Sequence, residues 1–231
     1  TALIGAVAHI PNAVAGMDET GTDNDSWTID KDNTGGDLFL NFGTTGNSLY
    51  WDAASGSFVF SNWVNNGTFM GQYAGASITT GNGNTFFGKN AGRYTTTGNN
   101  NTFFGMAAGK ENTTGSDNTF LGYQTGMFNT TGNRNVAVGW RAFSRNTTGL
   151  RNVAIGAEAG SPVDNAIYCA VLGLACPGQG TSYSDNVFVG DSAGYLTTAD
   201  ANVFIGSSAG KFNTSGSDNT YIGTRAGENS W

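Results

Sequence analysis

NTFFGKNAGRYTTTGNN (84–100), NTFFGMAAGKENTTGSD (101–117) and NTFLGYQTGMFNTTGNR (118–134) follow one another without a gap. The same register runs on through NVAVG (135–139), NVAIG (152–156), CAVLG (169–173) and NVFVG (186–190), and resumes after one deletion as NVFIG (202–206) and NTYIG (219–223). An earlier copy, GTFMG (67–71), brings the total to ten units. A fixed short period is the signature of a solenoid, in which each unit buries its apolar side chains against its neighbours. Seventeen residues are too few for two helices and a turn. Val, Ile, Phe and Thr between glycines favour strands. We therefore expect an all-β parallel solenoid with one coil per repeat over residues 67–231.

Numbering the positions of a coil from 1 to 17 gives each a physical role. Position 5 is glycine in all ten coils, from Gly71 to Gly223. That calls for positive φ or for a backbone pressed against a backbone. Position 8 is alanine except at Thr125 and Cys176, and position 15 is usually the glycine of a Thr-Thr-Gly corner. Position 1 is asparagine in eight coils, which suggests stacked side-chain amides bonding coil to coil.

Positions 2 to 4 form the main strand, with position 3 on one face and positions 2 and 4 on the other. Position 3 includes Phe69, Phe86, Phe103, Phe120, Phe188 and Phe204. Position 4 includes Phe87, Phe104, Leu121, Val138, Ile155, Val189, Ile205 and Ile222. Together these form the expected solenoid core and subunit interface. A single narrow solenoid covers one face only, and the second would be an apolar stripe larger than monomers tolerate. A homotrimer around a three-fold axis is the simplest closed cover, with a two-fold pair as the alternative.

The unit N-[TV]-x-[FLIV]-G-x-x-A-G-x-x-[NT]-T-T-G resembles the head repeats of trimeric autotransporter adhesins. It is more similar still to the coils of phage and bacterial tail fibres that end in an endosialidase-type intramolecular chaperone. The resemblance covers residues 67–231 and implies a trimer of left-handed parallel β-rolls, displayed outside the cell or on a particle, that attaches to a host or prey surface. The self-cleaving chaperone, the heptad stalk and the membrane anchor of those families have no counterpart in these residues.

Residues 1–66 do not follow the repeat. Runs such as SWTID (26–30), DLFLNFG (37–43), SLYWD (48–52) and SFVFSNW (57–63), joined by turn clusters, predict a small β-meander serving as an adaptor. Acids from Asp18 to Asp32 gather here, but their spacing is not that of an EF-hand, and a solvated loop is favoured over calcium. The apolar start TALIGAVAHIPNAVAG lacks a basic region and contains Pro11, so it does not read as a signal peptide. The absence of an initial Met suggests a processed or excised segment.

Composition narrows the function. The net charge of -7 argues against nucleic acid, and no apolar run is long enough to insert in a membrane. His9 is the single histidine, so one chain offers no Ser-His-Asp set, and the acids within the coils are scattered. No enzyme, metal or cofactor is expected. Cys169 and Cys176, seven apart, make no zinc or redox motif; a buried thiol and a disulfide across the coil both remain open.

Recognition is expected where the ladder is broken. Tyr123, Trp140, Arg141 and Phe143 form one candidate receptor patch beside Met106, although padding between coils would explain them too. Tyr168 and Tyr183, in the irregular stretch 161–185, form another. The receptor would be a cell-surface glycan or an envelope protein. Two other functions stay in view. Thr113/Thr130/Thr147 and Thr114/Thr131/Thr148 suggest an ice- or crystal-binding array, although it is interrupted at 163–166 and 180–183. Solenoid ends also suggest a self-polymerising filament. The sequons at Asn112, Asn129 and Asn146 read more simply as the corner of the repeat.

Overall fold

The computed structural model describes residues 65–161, 169–174 and 184–229 in full, and the backbone of strands 27–31, 38–42, 47–52, 57–62, 165–167 and 182–184. His9, the acids from Asp18 to Asp25, Asp32, Tyr168 and Cys176 lie outside the described residues, as does the side chain of Tyr183. The chain divides into two units, Thr1–Thr68 and Phe69–Trp231.

In the first unit, β1 (Trp27–Lys31), β2 (Leu38–Phe42), β3 (Asn47–Asp52) and β4 (Ser57–Asn62) form a four-stranded sheet in sequence order. Each neighbouring pair is antiparallel.

The second unit is the solenoid. Its main sheet is built from β5 (Thr68–Met70), β6 (Thr85–Phe87), β7 (Thr102–Phe104), β8 (Thr119–Leu121), β9 (Val136–Val138) and β10 (Val153–Ile155). It continues through β12 (Ala170–Leu172), β14 (Val187–Val189), β15 (Val203–Ile205) and β16 (Thr220–Ile222). Every strand occupies positions 2 to 4, and the described pairs are parallel with like positions opposed: Phe86 on Phe103, Ala137 on Ala154, Phe188 on Phe204. The shift across β14 and β15 is 16 residues, the one deletion absorbed at the Thr-Thr corner. A further pair, β11 (Asn165–Ile167) and β13 (Ser182–Ser184), adds a short parallel ladder where two coils lose that corner.

Coil-to-coil hydrogen bonds continue outside the strands. Thr96 N–H donates to Thr113 O at 2.9 Å, Gly92 N–H to Ala108 O at 2.9 Å, and Ala107 N–H to Lys89 O at 2.9 Å. Most of the backbone is thereby paired without a helix, as buried polar groups require.

The interior is a stack of position-3 rings. Phe69, Phe86, Phe103 and Phe120 lie 4.8–5.2 Å apart between centroids, and the Phe86–Phe103 and Phe103–Phe120 pairs are both within 7° of parallel. Phe188, Phe204 and Tyr221 form a second stack. The alanines of position 8 close the core around them. The glycines of position 9 leave room for the rings: a Cβ on Gly109 would stand 2.4 Å from the Phe103 ring. Position 5 is glycine for both expected reasons, since Gly105 has φ 133° and a Cβ there would lie 2.4 Å from Gly122 O. Position 15 is glycine through close approach alone, its Cβ meeting the next coil's carbonyl.

The asparagine ladder of position 1 is present and buried. Each Oδ1 from Asn84 to Asn135 accepts from the next asparagine's N–H and Nδ2, and each Nδ2 also reaches the carbonyl at its own position 15. Asn112, Asn129 and Asn146, at position 12 where the corner begins, form a second buried ladder. These sequon amides are inside the folded coil, where no glycan fits.

Candidate functional site

Burial separates the two apolar faces of the strands. Position 3 is fully buried at Phe86, Phe103, Phe120, Phe188 and Phe204, and Phe69 packs against it from the end. Position 4 points outward. Phe87, Phe104, Leu121, Ile155, Ile205 and Ile222 are exposed, at 50% for Phe104 and 68% for Ile222. Val138 and Val189 are half-buried. Phe87 and Phe104 stack at 4.7 Å with planes 4° apart, so their faces cover one another and their edges meet solvent. Position 2 adds Val136 and Val153 to the same side. One sheet therefore carries an apolar strip along ten strands, where alternation in a half-solvated sheet would place polar groups.

The candidate receptor patch splits. Tyr123 and Trp140, with Met106, are exposed on consecutive coils. The Arg141 guanidinium lies 5.3 Å from the centre of the Trp140 ring, and Arg141 also approaches Glu158 at 3.8 Å. Phe143 does not join them. It is fully buried, which corrects its place among the surface contacts. It occupies position 9, glycine in every other coil except at Pro177, in the coil whose position 3 is Ala137. Its ring lies against Gly160 of the next coil, whose position 3, Ala154, is again small: a Cβ on Gly160 would be 2.6 Å from that ring. One phenylalanine thus fills the space left by two missing ones. The signal was in the sequence, since Ala137, Ala154 and Phe143 depart from the pattern together.

The threonine ladders also divide. At position 13, the hydroxyls of Thr79, Thr96, Thr113 and Thr130 donate to the carbonyl of the next coil, at 2.9–3.1 Å. Their protons are committed to the fold, while each oxygen can still accept from water. Position 14, with Thr97, Thr114 and Thr131, is exposed. The two rows of the threonine array are thereby unequal.

Four acids of the coils pair singly with bases, Glu228 with Arg225 at 3.7 Å among them. Glu111 meets Lys110 at 2.8 Å, Asp117 meets Arg134 at 3.8 Å and Glu158 meets Arg141. Among the described residues no three His, Cys, Asp or Glu side chains gather as a metal site, and no helix is long and apolar enough to cross a membrane. Cys169 is buried in the asparagine position, its N–H donating to Asn152 Oδ1 at 2.9 Å. No protein family, curated protein or solved structure matches the chain.

Proposed function

We propose that the chain is a structural and adhesive segment of a homotrimeric extracellular fibre. Such a fibre attaches the cell or particle that bears it to a host or prey surface, through a glycan or another envelope receptor and without catalysis. The observation that carries this reading is the outward apolar strip of position 4. Covering a half-exposed Phe, Leu or Ile stabilises by about 1 kcal/mol, so ten such side chains in a row favour association strongly. The residues to cover them come from further copies of the same strip. Identical strips related by a three-fold axis meet around a closed core and leave none exposed. The resemblance of the repeat to trimeric adhesin heads and tail-fibre coils supports three copies over two, in the left-handed β-roll form. The first unit would then be the adaptor to the preceding part of the fibre.

Light scattering coupled to size exclusion tests this directly. The expected mass is three times 23.9 kDa. A stable monomer at micromolar concentration would remove the fibre reading's main physical support, and twice that mass would replace the trimer by a dimer.

A further inference from the structure

A different side of the coil departs from the acidity of the chain. Residues 67–161 hold seven Lys and Arg against three acids, although the whole chain is -7. Five of the seven (Lys89, Arg93, Lys110, Arg141 and Arg145) fall at positions 6, 7, 10 and 11, the turn that follows the position-5 glycine. The register stacks them into one edge: Ala107 N–H bonds Lys89 O, Tyr94 N–H bonds Lys110 O, and Arg145 N–H bonds Ser161 O. Glu111 and Glu158 neutralise Lys110 and Arg141. Lys89, Arg93 and Arg145 meet no carboxylate among the described residues.

Aromatic rings alternate with these cations. The Arg93 guanidinium lies 4.8 Å from the centre of the Tyr73 ring on the preceding coil and 5.0 Å from that of Tyr94, and Lys110 lies 5.5 Å from Tyr94. Arg93 also reaches Asn90 Oδ1 at 3.5 Å. The side chains of this edge are therefore held in place by one another, and less rotamer freedom is lost when a ligand binds. Tyr73, Tyr123 and Trp140 stay about half exposed. Five coils at ~4.8 Å make an edge about 20 Å long.

From this arrangement we infer that the edge formed by positions 6 to 11 of residues 72–145 binds an acidic polysaccharide. The inference rests on the attachment function proposed above and names the receptor class. Two uncompensated cations on one coil and a third three coils on suit a polymer whose carboxylates, sulfates or phosphates are spaced one per sugar or two. Nucleic acid, with a charge every ~1.7 Å of duplex, calls for a denser basic surface. The half-exposed rings suit the apolar faces of sugars. The edge lies past the position-5 glycine from the apolar strip, so self-association and polysaccharide binding use different side chains.

The test is binding of the full chain, by calorimetry, to hyaluronan, dextran sulfate, neutral dextran and a single-stranded oligonucleotide. Each is measured at about 50 and about 200 mM salt, with mass measured on the same sample. Binding to hyaluronan or dextran sulfate, weakened by salt, and none to dextran is expected. Lys89→Ala and Arg145→Ala, whose side chains have no carboxylate partner to lose, should each weaken it roughly fivefold, the value of one exposed ion contact. Arg134→Ala, at position 17, should leave it unchanged. Equal binding to dextran, tighter binding to the oligonucleotide, or indifference to both edge substitutions would overturn the inference. A trimer that binds no acidic polysaccharide would sink this inference and leave the fibre standing; a monomer that binds one would do the reverse.

Discussion

The Oδ1 atom of Asn118 accepts two hydrogen bonds from Asn135, one from the backbone N–H at 3.0 Å and one from Nδ2 at 3.1 Å. Asn118 Nδ2 in turn donates to Asn101 Oδ1 at 3.1 Å and to Gly132 O at 2.8 Å. All three asparagines are fully buried, so none of these groups can turn to water instead. Asn118→Ala leaves a buried N–H, an amide nitrogen and a carbonyl short of partners. The expected loss is about 3 kcal/mol, read as a fall in the denaturation midpoint.

The second ladder has a vacancy that can be filled. Position 12 carries Thr95 directly before Asn112, and the Thr95 hydroxyl is buried without a partner. Thr95→Asn would place an amide oxygen toward Asn112 Nδ2 and an amide N–H toward Gly98 O, the arrangement seen at Asn129 with Asn146 Nδ2 and Gly132 O. A gain of about 1 kcal/mol is expected. Thermal unfolding at or below the parent temperature would contradict it.

Phe143 and Ala137 invite a swap. Phe143→Gly empties the interior of two coils and should cost about 3–5 kcal/mol. Adding Ala137→Phe restores the ordinary pattern, a ring at position 3 facing a glycine at position 9. The double variant is expected to regain most of the loss, because volume is conserved and the φ of 54° at residue 143 suits glycine. Additive losses in the cycle would show that the two sites do not share one space.

Adjacent phenylalanines should behave differently. Phe103 is buried and Phe104 is half exposed. Phe103→Ala is expected to destabilise the coil by about 3–5 kcal/mol. Phe104→Ser together with Ile155→Ser should preserve the far-ultraviolet spectrum while lowering the mass in light scattering. Unchanged mass would place the subunit contact elsewhere.

Glycine stacking gives a graded comparison. A Cβ at Gly105 meets Gly122 O at 2.4 Å, whereas at Gly223 it meets only Ala226 Cβ of the same coil, at 4.0 Å. Both have positive φ, so both alanine variants are strained. Gly105→Ala should lose markedly more stability, and equal losses would show that backbone approach adds nothing to the dihedral cost.

The solenoid, its register and the division of each strand into two apolar faces were legible because identical chemistry recurs at each step and strand alternation is strict. Three features were not. Position 7 has positive φ whatever its residue, from Tyr73 at 61° to Glu158 at 55°, so no composition marks it. The hydrogen bonds to the preceding coil, such as Ala107 to Lys89 O, impose that conformation from outside. The role of Phe143 depends on volume shared between coils, which a position-by-position reading separates. The position-12 asparagines were hidden by their own familiarity, since Asn-Thr-Thr is also a turn and a sequon. At the candidate site, the rings and bases were visible singly. Their alternation from Tyr73 through Arg93 to Lys110 needed the stacking of one coil on the next.

Because like positions stack on like, every coil offers its neighbour the same edge it receives. A gene that gains or loses one whole unit changes the rod by a single step of ~4.8 Å and asks for no new chemistry at the joint. Length in this protein is therefore heritable in quanta, and the one single-residue loss is taken up at a corner, as between Thr198 and Ala199.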